Sequence, residues 1–472
     1  MTTTSTTHGE VRGVGFRSDR GPILIALMLS TSLVALDSTI IATAVPSVVA
    51  SLGGFTSFPW LFSIYLLAQA VSVPIYGRCA DLFGRKPVIF LGIGLFLLGS
   101  ILCGVAWSMP ALIAFRAVQG IGAGAVQPIA MTIAGDIYTV AERARVQGYL
   151  ASVWAISAVV GPTLGGVFSE WISWRWIFFV NIPFCLLAAL LLARNFRETV
   201  TRTPHTLDIL GAVLLTVGCA LLILGLLEGG QAWAWNSAPS LLALIVGPLL
   251  LVGFVLVERL AAEPILPLWV LRRRLLVATS AGTFLVGAVL LGLTSYVPTY
   301  VQTSLGTGPL TAGFALATLT LGWPIAASLS GRLYLRIGFR DTGLIGVVVI
   351  IGGAFGTTTL GTSSAVWQVG VYCFLVGLGM GLVASPSLIA AQSSVGWTDR
   401  GVVTGTNMFA RSVGSAVGVA LFGAIANASL GGGEPTAVTI STASHQVFLV
   451  GAGLAVLMAV AVAFIPRKVA IA

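Results

Sequence analysis

The sequence predicts an all-α polytopic membrane protein of 14 transmembrane helices, with two six-helix bundles, two inserted central helices and both termini in the cytoplasm. Of 472 residues, 57% are hydrophobic and only 8% charged, where a soluble chain has about a quarter charged. The apolar residues fall in continuous runs near the ~20 residues that carry a helix across hydrocarbon. The basic residues gather in alternate loops between those runs. A β-barrel is excluded, because its ~10-residue segments alternate rather than run apolar throughout. The net charge of +9 belongs to membrane topology and not to nucleic acid.

The runs, in order, are 21-48, 58-77, 87-107, 110-135, 147-169, 175-194, 208-228, 239-258, 276-300, 310-330, 342-360, 366-390, 401-427 and 444-466. The first imitates a signal peptide, with Arg12, Arg17 and Arg20 ahead of it and Ala42-Thr43-Ala44 resembling a cleavage site. It is longer than a signal's apolar core, carries Asp37 and leads into further spans, so it reads as a membrane helix. An even number of spans returns both termini to one side. With the N-terminus inside, 21 of the 24 Lys and Arg residues are cytoplasmic, Arg175 is outside, and Arg116 and Arg411 lie in the membrane. That asymmetry fixes orientation and count together, since a missed span would invert every later loop.

The chain also repeats. Gly77-Arg78 and Gly84-Arg85 are echoed by Gly331-Arg332 and Gly338-Phe339-Arg340, each glycine displaced by 254 residues. Such repeats mark secondary transporters. The organisation read from them is a tail (1–20), a first bundle (21–194), a connection (195–207), two inserted helices (208–258), a second connection (259–275), a second bundle (276–466) and a tail (467–472).

Within this frame a few residues carry chemistry. The loop Gly77-Arg78-Cys79-Ala80-Asp81-Leu82-Phe83-Gly84-Arg85-Lys86 has glycines suited to a tight turn. Asp81 goes beyond a turn: it can accept N–H groups from one helix and a guanidinium from another, forming a releasable latch. Leu335 stands at the repeat position, so the latch is one-sided. Arg116, in Arg116-Ala117-Val118-Gln119-Gly120, is costly in hydrocarbon and is expected to face a polar cavity and a partner. Asp37, the one carboxylate well inside a span, is that partner. At 1.5 Å per residue the pair falls in the outer half of the membrane. It reads either as a static ion pair or as a proton-accepting carboxylate answering to Arg116. Gly161-Pro162-Thr163-Leu164-Gly165-Gly166 predicts a kinked, closely packed helix that can serve as a pivot between the bundles.

Gln119, Trp154, Tyr296, Tyr300, Asn407 and Arg411 are candidate cavity-lining residues; Tyr296 and Tyr300, like Asn407 and Arg411, stand one helical turn apart. Asp136, near the inner end of its span, is a second candidate for titration. The five cysteines have no Cys-x-x-Cys spacing and read as packing residues. None of the three histidines lies inside a span, His445 standing only at the start of the last, so no metal site is expected.

Together these residues resemble the fourteen-helix drug:proton antiporters of the major facilitator superfamily. The resemblance rests on Gly77 to Lys86; on Arg116, Gln119, Gly120, Gly122 and Gly124; on Gly161, Pro162, Gly165 and Gly166; and on Leu36, Asp37, Thr39, Ala44 and Pro46. The run from Trp174 to Pro183 is also similar. It implies rocker-switch alternating access around a central cavity, proton exchange at Asp37 assisted by Arg116, and stabilisation of the outward-facing state by Asp81 and Arg85. It also implies a multi-pass protein of a bacterial plasma membrane, functioning as a monomer in the lipid bilayer. Its partners would be protons and hydrophobic small molecules, with no cofactor beyond the proton gradient. Exporters of cationic drugs often carry further acids in their helices, and none is found here. Neutral, zwitterionic or anionic substrates are therefore expected over dications. Export of an endogenous lipid or secondary metabolite is the rival within transport. An integral-membrane enzyme would need clustered carboxylates or a metal site. No Walker A motif points to ATP.

Overall fold

A computed structural model describes residues 14–53, 60–198, 208–230, 233–261, 264–430 and 437–469. The first half contains α1 (Gly21–Leu52), α2 (Trp60–Phe83), α3 (Arg85–Gly104), α4 (Met109–Ile137), α5 (Val140–Trp171), α6 (Trp176–Phe179) and α7 (Asn181–Asn195). Next come α8 (Ile209–Glu228), α9 (Ala238–Glu258) and the single turn α10 (Trp269–Arg272). The second half contains α11 (Arg274–Thr299), α12 (Pro309–Ile337), α13 (Phe339–Thr358), α14 (Val366–Ser393), α15 (Arg400–Leu430) and α16 (Ala437–Ala463). Among the described residues, 14 helices are long and apolar enough to cross a membrane, with α6 and α7 forming one interrupted span. The connection at 199–207 lies outside the described residues.

Several boundaries differ from the hydropathic reading. The apolar run of α2 ends near Gly77, yet the helix continues through Phe83, so most of the expected loop is helical and the turn shrinks to Gly84. Gly84 (φ +95°) and its counterpart Gly338 (φ +88°) need the left-handed backbone that glycine supplies without strain. α1 runs on to Leu52, which puts Asp37 at the middle of its helix and not towards the outer end. α16 starts at Ala437 and takes His445 into the span.

In the first half α1 packs on α5 and α7, and α4 on α2 and α3; in the second, α11 packs on α15 and α16, and α14 on α12 and α13. The halves meet where α2 lies on α15 and α5 on α12. The inserted α8 covers the first of these seams: Leu215, Cys219 and Ile223 pack with Leu67, Ala70 and Val71 of α2 and with Ala416 of α15. Gly338 approaches the Arg467 carbonyl, and Arg20 donates to the Ile137 carbonyl at 2.8 Å, so the described ends of the chain share the end of the molecule that holds Gly84. We call this the basic end.

Small residues set the helix spacing. A Cβ on Gly99 of α3 would stand 2.6 Å from Cα of Gln119 on α4, whereas one on Gly94, on the same helix, meets nothing within 4 Å. Gly99→Ala is therefore expected to push α3 off α4 and cost about 1–3 kcal/mol. Gly94→Ala should be neutral or stabilising by up to about 1 kcal/mol. The monodisperse fraction after detergent extraction, followed through a temperature ramp, checks both.

Candidate functional site

Asp37 is surrounded by three donors from two other helices. Arg116 of α4 places Nη1 2.5 Å from its Oδ2. Gln119 Nε2 donates to Oδ1 at 2.9 Å, and Asn181 Nδ2 at the start of α7 donates to the same oxygen at 3.4 Å. Ser100 of α3 accepts from both amides, at 2.8 and 3.3 Å. Arg116 also donates to Gln119 Oε1 at 2.8 Å and to the Leu61 carbonyl at 3.1 Å, and its guanidinium lies over the Tyr65 ring at 4.1 Å. Asp37, Arg116 and Gln119 are each at most 1% exposed.

The Arg116 expectation is thus corrected in part. It has its acidic partner, but both are packed among α1, α2, α3, α4 and α7 and do not line the cavity between the halves; Asp37, Gln119 and the Leu61 carbonyl satisfy the guanidinium. Gln119 belongs to the same cluster and is not a cavity residue. The sequence did not reveal Asn181 as a partner of Asp37, or Ser100 as the acceptor that holds both amides. The interruption between α6 and α7, which a Trp-rich segment followed by Asn and Pro could have signalled, starts a helix at Asn181 and aims its amide at α1.

At the basic end a second polar cluster joins the halves. Asp81 of α2 accepts N–H groups of Gly401 (2.8 Å) and Val402 (2.7 Å) in the first turn of α15. Arg85 pairs with Asp81 and Asp136, each at 2.9 Å, covers the Trp397 ring at 3.7 Å and donates to the Trp397 carbonyl. Arg400 reaches Asp136 at 3.0 Å. Asp81 therefore caps a helix of the other half, where an anion meets unpaired N–H groups and the positive end of the helix dipole. This crossing needs glycine on both sides: a Cβ on Gly77 would stand 2.6 Å from the Gly401 carbonyl oxygen. Gly77 is consequently helical and required for close approach, not for a turn.

The symmetry-related seam is built differently. α5 caps itself, with Glu142 accepting from the N–H of Thr139 at 2.9 Å and its hydroxyl at 3.1 Å. The acid at this helix start is therefore its own Glu142 and none comes from α12, where Leu335 stands at the repeat position. Arg20 clamps Glu142 from the N-terminal side, and this hydrogen bond holds the arginine above its ordinary pKa. Here the halves are joined by the Tyr334 hydroxyl donating to the Val140 carbonyl, Arg143 donating to Ser393 Oγ at 2.9 Å, and Gly331 lying against Ala144. Gln392 adds a bond to the Met131 carbonyl at 3.2 Å. Among the described residues, the hydrogen bonds joining the two halves gather at this end.

Above the seal, a cavity of about 330 Å³ lies between the halves. Trp154, Asn407 and Arg411 line it, with Gln69, Gln127, Gln147 and Trp323. Tyr296 and Tyr300 do not. Tyr300 is buried edge-on to Phe448 and donates to the Gly361 carbonyl at 2.7 Å, and Tyr296 packs beside Phe422 and Val447. Their spacing puts them on one side of the helix, but that side faces α15 and α16 and not the cavity. Gly161 packs against Thr39 of α1, within its own half, so the close contact it permits is not at the interface between halves. A Cβ on Gly166 meets nothing within 4 Å, Gly165 is buried, and the Pro162 side chain lies outside the described residues. On α5, the glycine that touches the other half is Gly148, whose Cβ would stand 2.8 Å from that of Ser328 on α12.

Comparison with known proteins follows this geometry. The family described as Major Facilitator Superfamily matches residues 27–419. Multidrug resistance protein 3 of Bacillus subtilis (strain 168) is 34% identical over 403 residues, 85% of this chain and 79% of its own length. Multidrug transporter protein MdtP of the same organism is 34% identical over 417 residues, covering 88% and 77%. Among solved structures, the human organic anion transporter MFSD10 superposes with a TM-score of 0.67 over 94% of this chain and 99% of that one, at 16% identity, a likeness of fold. With 14 helices of crossing length and relatives of this kind over most of its length, the chain belongs to the Major Facilitator Superfamily and is a membrane transporter, not an enzyme.

Proposed function

We propose that the protein is a proton-coupled antiporter that exports hydrophobic small molecules by alternating access, with the basic end in the cytoplasm of a bacterial cell. The observation that carries this reading is the donor shell of Asp37. Arg116, Gln119 and Asn181 all point hydrogens at its two oxygens. Such a shell suits a carboxylate: protonation removes the charge that Arg116 answers and adds an O–H among groups that point hydrogens at it, which loosens the cluster. Proton binding is therefore linked to a rearrangement of α4 or α7 against α1. The cavity beside these helices supplies the second site that coupling needs, and the Asp81–Arg85–Asp136–Arg400 cluster supplies a gate that closes one end. The relatives named as multidrug transporters support small-molecule export.

The test uses inverted vesicles with an imposed proton gradient and a neutral hydrophobic dye. Addition of dye is expected to release protons only when the protein is present, and collapse of the gradient should stop dye movement. Dye movement that is indifferent to the gradient would exclude proton coupling. No dye movement, together with altered lipid content in cells lacking the protein, would shift the assignment to lipid export.

A further inference from the structure

The lining of the central cavity contains one charged side chain, Arg411 of α15, and no Asp or Glu. Its guanidinium has no carboxylate, carbonyl or hydroxyl partner among the described residues. Nearby groups are already engaged. Asn407 Nδ2 donates to Thr283 Oγ1 at 3.0 Å, and the hydroxyls of Ser412 and Ser415 donate to the carbonyls of Met408 and Gly287, each at 3.2 Å. The carboxylate of Asp37 is enclosed in the first half by Arg116. A half-buried, always-charged group on a cavity wall, with a fork of five donors and no protein acceptor, is matched by a planar oxyanion bound in bidentate fashion. Trp154 and Trp323, from opposite halves, add aromatic surface to the same cavity.

We infer that the cavity selects amphiphilic organic monoanions, an aromatic or alicyclic body bearing one carboxylate or sulfonate, and that Arg411 receives the anionic group. This rests on the export reading only in taking the cavity as the transport site. A cationic amphiphile of the same body is repelled by Arg411 and finds no acid in the lining to offset that repulsion.

A matched series tests this: naphthalene-1-acetate, 2-(1-naphthyl)ethanol and 2-(1-naphthyl)ethylammonium. Equilibrium dialysis uses the full chain in zwitterionic lipid nanodiscs, with empty discs subtracted, and proteoliposomes under a proton gradient supply the transport readout. The wild type is expected to bind the acetate at least about tenfold more tightly than the alcohol, with the cation weakest. Arg411→Gln should erase that preference while leaving alcohol binding within about twofold, and Arg411→Lys should retain part of it. A wild type that binds the cation as tightly as the acetate overturns the inference, and so does an Arg411→Gln variant that keeps the preference. Retained alcohol binding shows that the variant is folded; if Arg411→Gln does not fold, the wild-type ranking and Arg411→Lys decide. The two readings fail separately. Proton-driven export of the alcohol without charge preference leaves the exporter standing and removes the anion site. Arg411-dependent binding of the acetate without proton-driven movement of any probe does the reverse.

Discussion

Replacing Asp37 with Asn is expected to abolish substrate-driven proton release while leaving an inserted protein. The substitution keeps the shape of the side chain and removes its only protonation site. It also replaces one accepting oxygen with an NH₂ group facing Arg116, Gln119 or Asn181, so donor meets donor. Arg116, at most 1% exposed, then loses its counter-charge, and breaking a buried pair in this way costs about 3–5 kcal/mol. A lower extraction yield is thus expected beside the functional loss. Asp37→Glu separates the two effects, because it restores charge and titration with one extra methylene. It should recover folding and part of the coupling, whereas Asp37→Asn recovers none. The measurement is dye-induced proton release from inverted vesicles, normalised to the amount of protein. Full release from Asp37→Asn would place the coupling proton elsewhere, with Asp136 the next carboxylate to examine.

Gly401→Val is expected to hold the basic end open. A Cβ there would stand 2.7 Å from Asp81 Oδ1 and would also collide with the Gly77 carbonyl, which belongs to the backbone and cannot swing aside. α2 and α15 must separate, and Asp81 then loses the two N–H groups that it caps. At about 1.5 kcal/mol for each charge-assisted bond, the open-to-closed ratio rises by roughly a hundredfold. Ala384→Cys, lining the cavity in a background without the five native cysteines, reports the change. Its alkylation by an impermeant maleimide from the cytoplasmic face should rise sharply with Gly401→Val. Unchanged labelling would mean that this crossing does not govern access. Gly148→Val makes a useful contrast, because its neighbour is the Ser328 side chain and not a carbonyl.

Much of this was legible in the sequence because membranes punish exceptions. Charge-poor runs of crossing length locate the helices, and of the ionised residues inside them Asp37 and Arg116 are opposite in sign and costly enough to pair, whereas Arg411 has no acid to meet. Gln119 is three residues from Arg116 and so on the same helical face, but its side of that face was not decidable from one helix alone. Asn181 and Ser100 were invisible for a different reason: neutral polar residues are common in spans and only tertiary packing assigns them partners. The Gly77 motif shows how two physical demands can look alike. A turn and a backbone crossing both call for glycine, and only the presence of Gly401 opposite distinguishes them. The tyrosine pair failed similarly, since helical spacing tells which residues share a side but not what that side faces. The asymmetry of the two seams was half visible in Leu335. The other half, that α5 meets its own Glu142 at its start, required seeing that Glu142 turns back on Thr139.

The single positive charge in the cavity wall has an electrical consequence. Under the alternating access proposed above, the cavity takes the potential of whichever compartment it opens to. An empty cavity carrying Arg411 is favoured at the negative, inner side by up to about 2.3 kcal/mol per 100 mV for a full charge sensing the full field. A bound monoanion cancels that charge. Membrane voltage would then draw the unloaded carrier back towards the cytoplasm, where substrate is collected, and place little load on the carrier once it is filled.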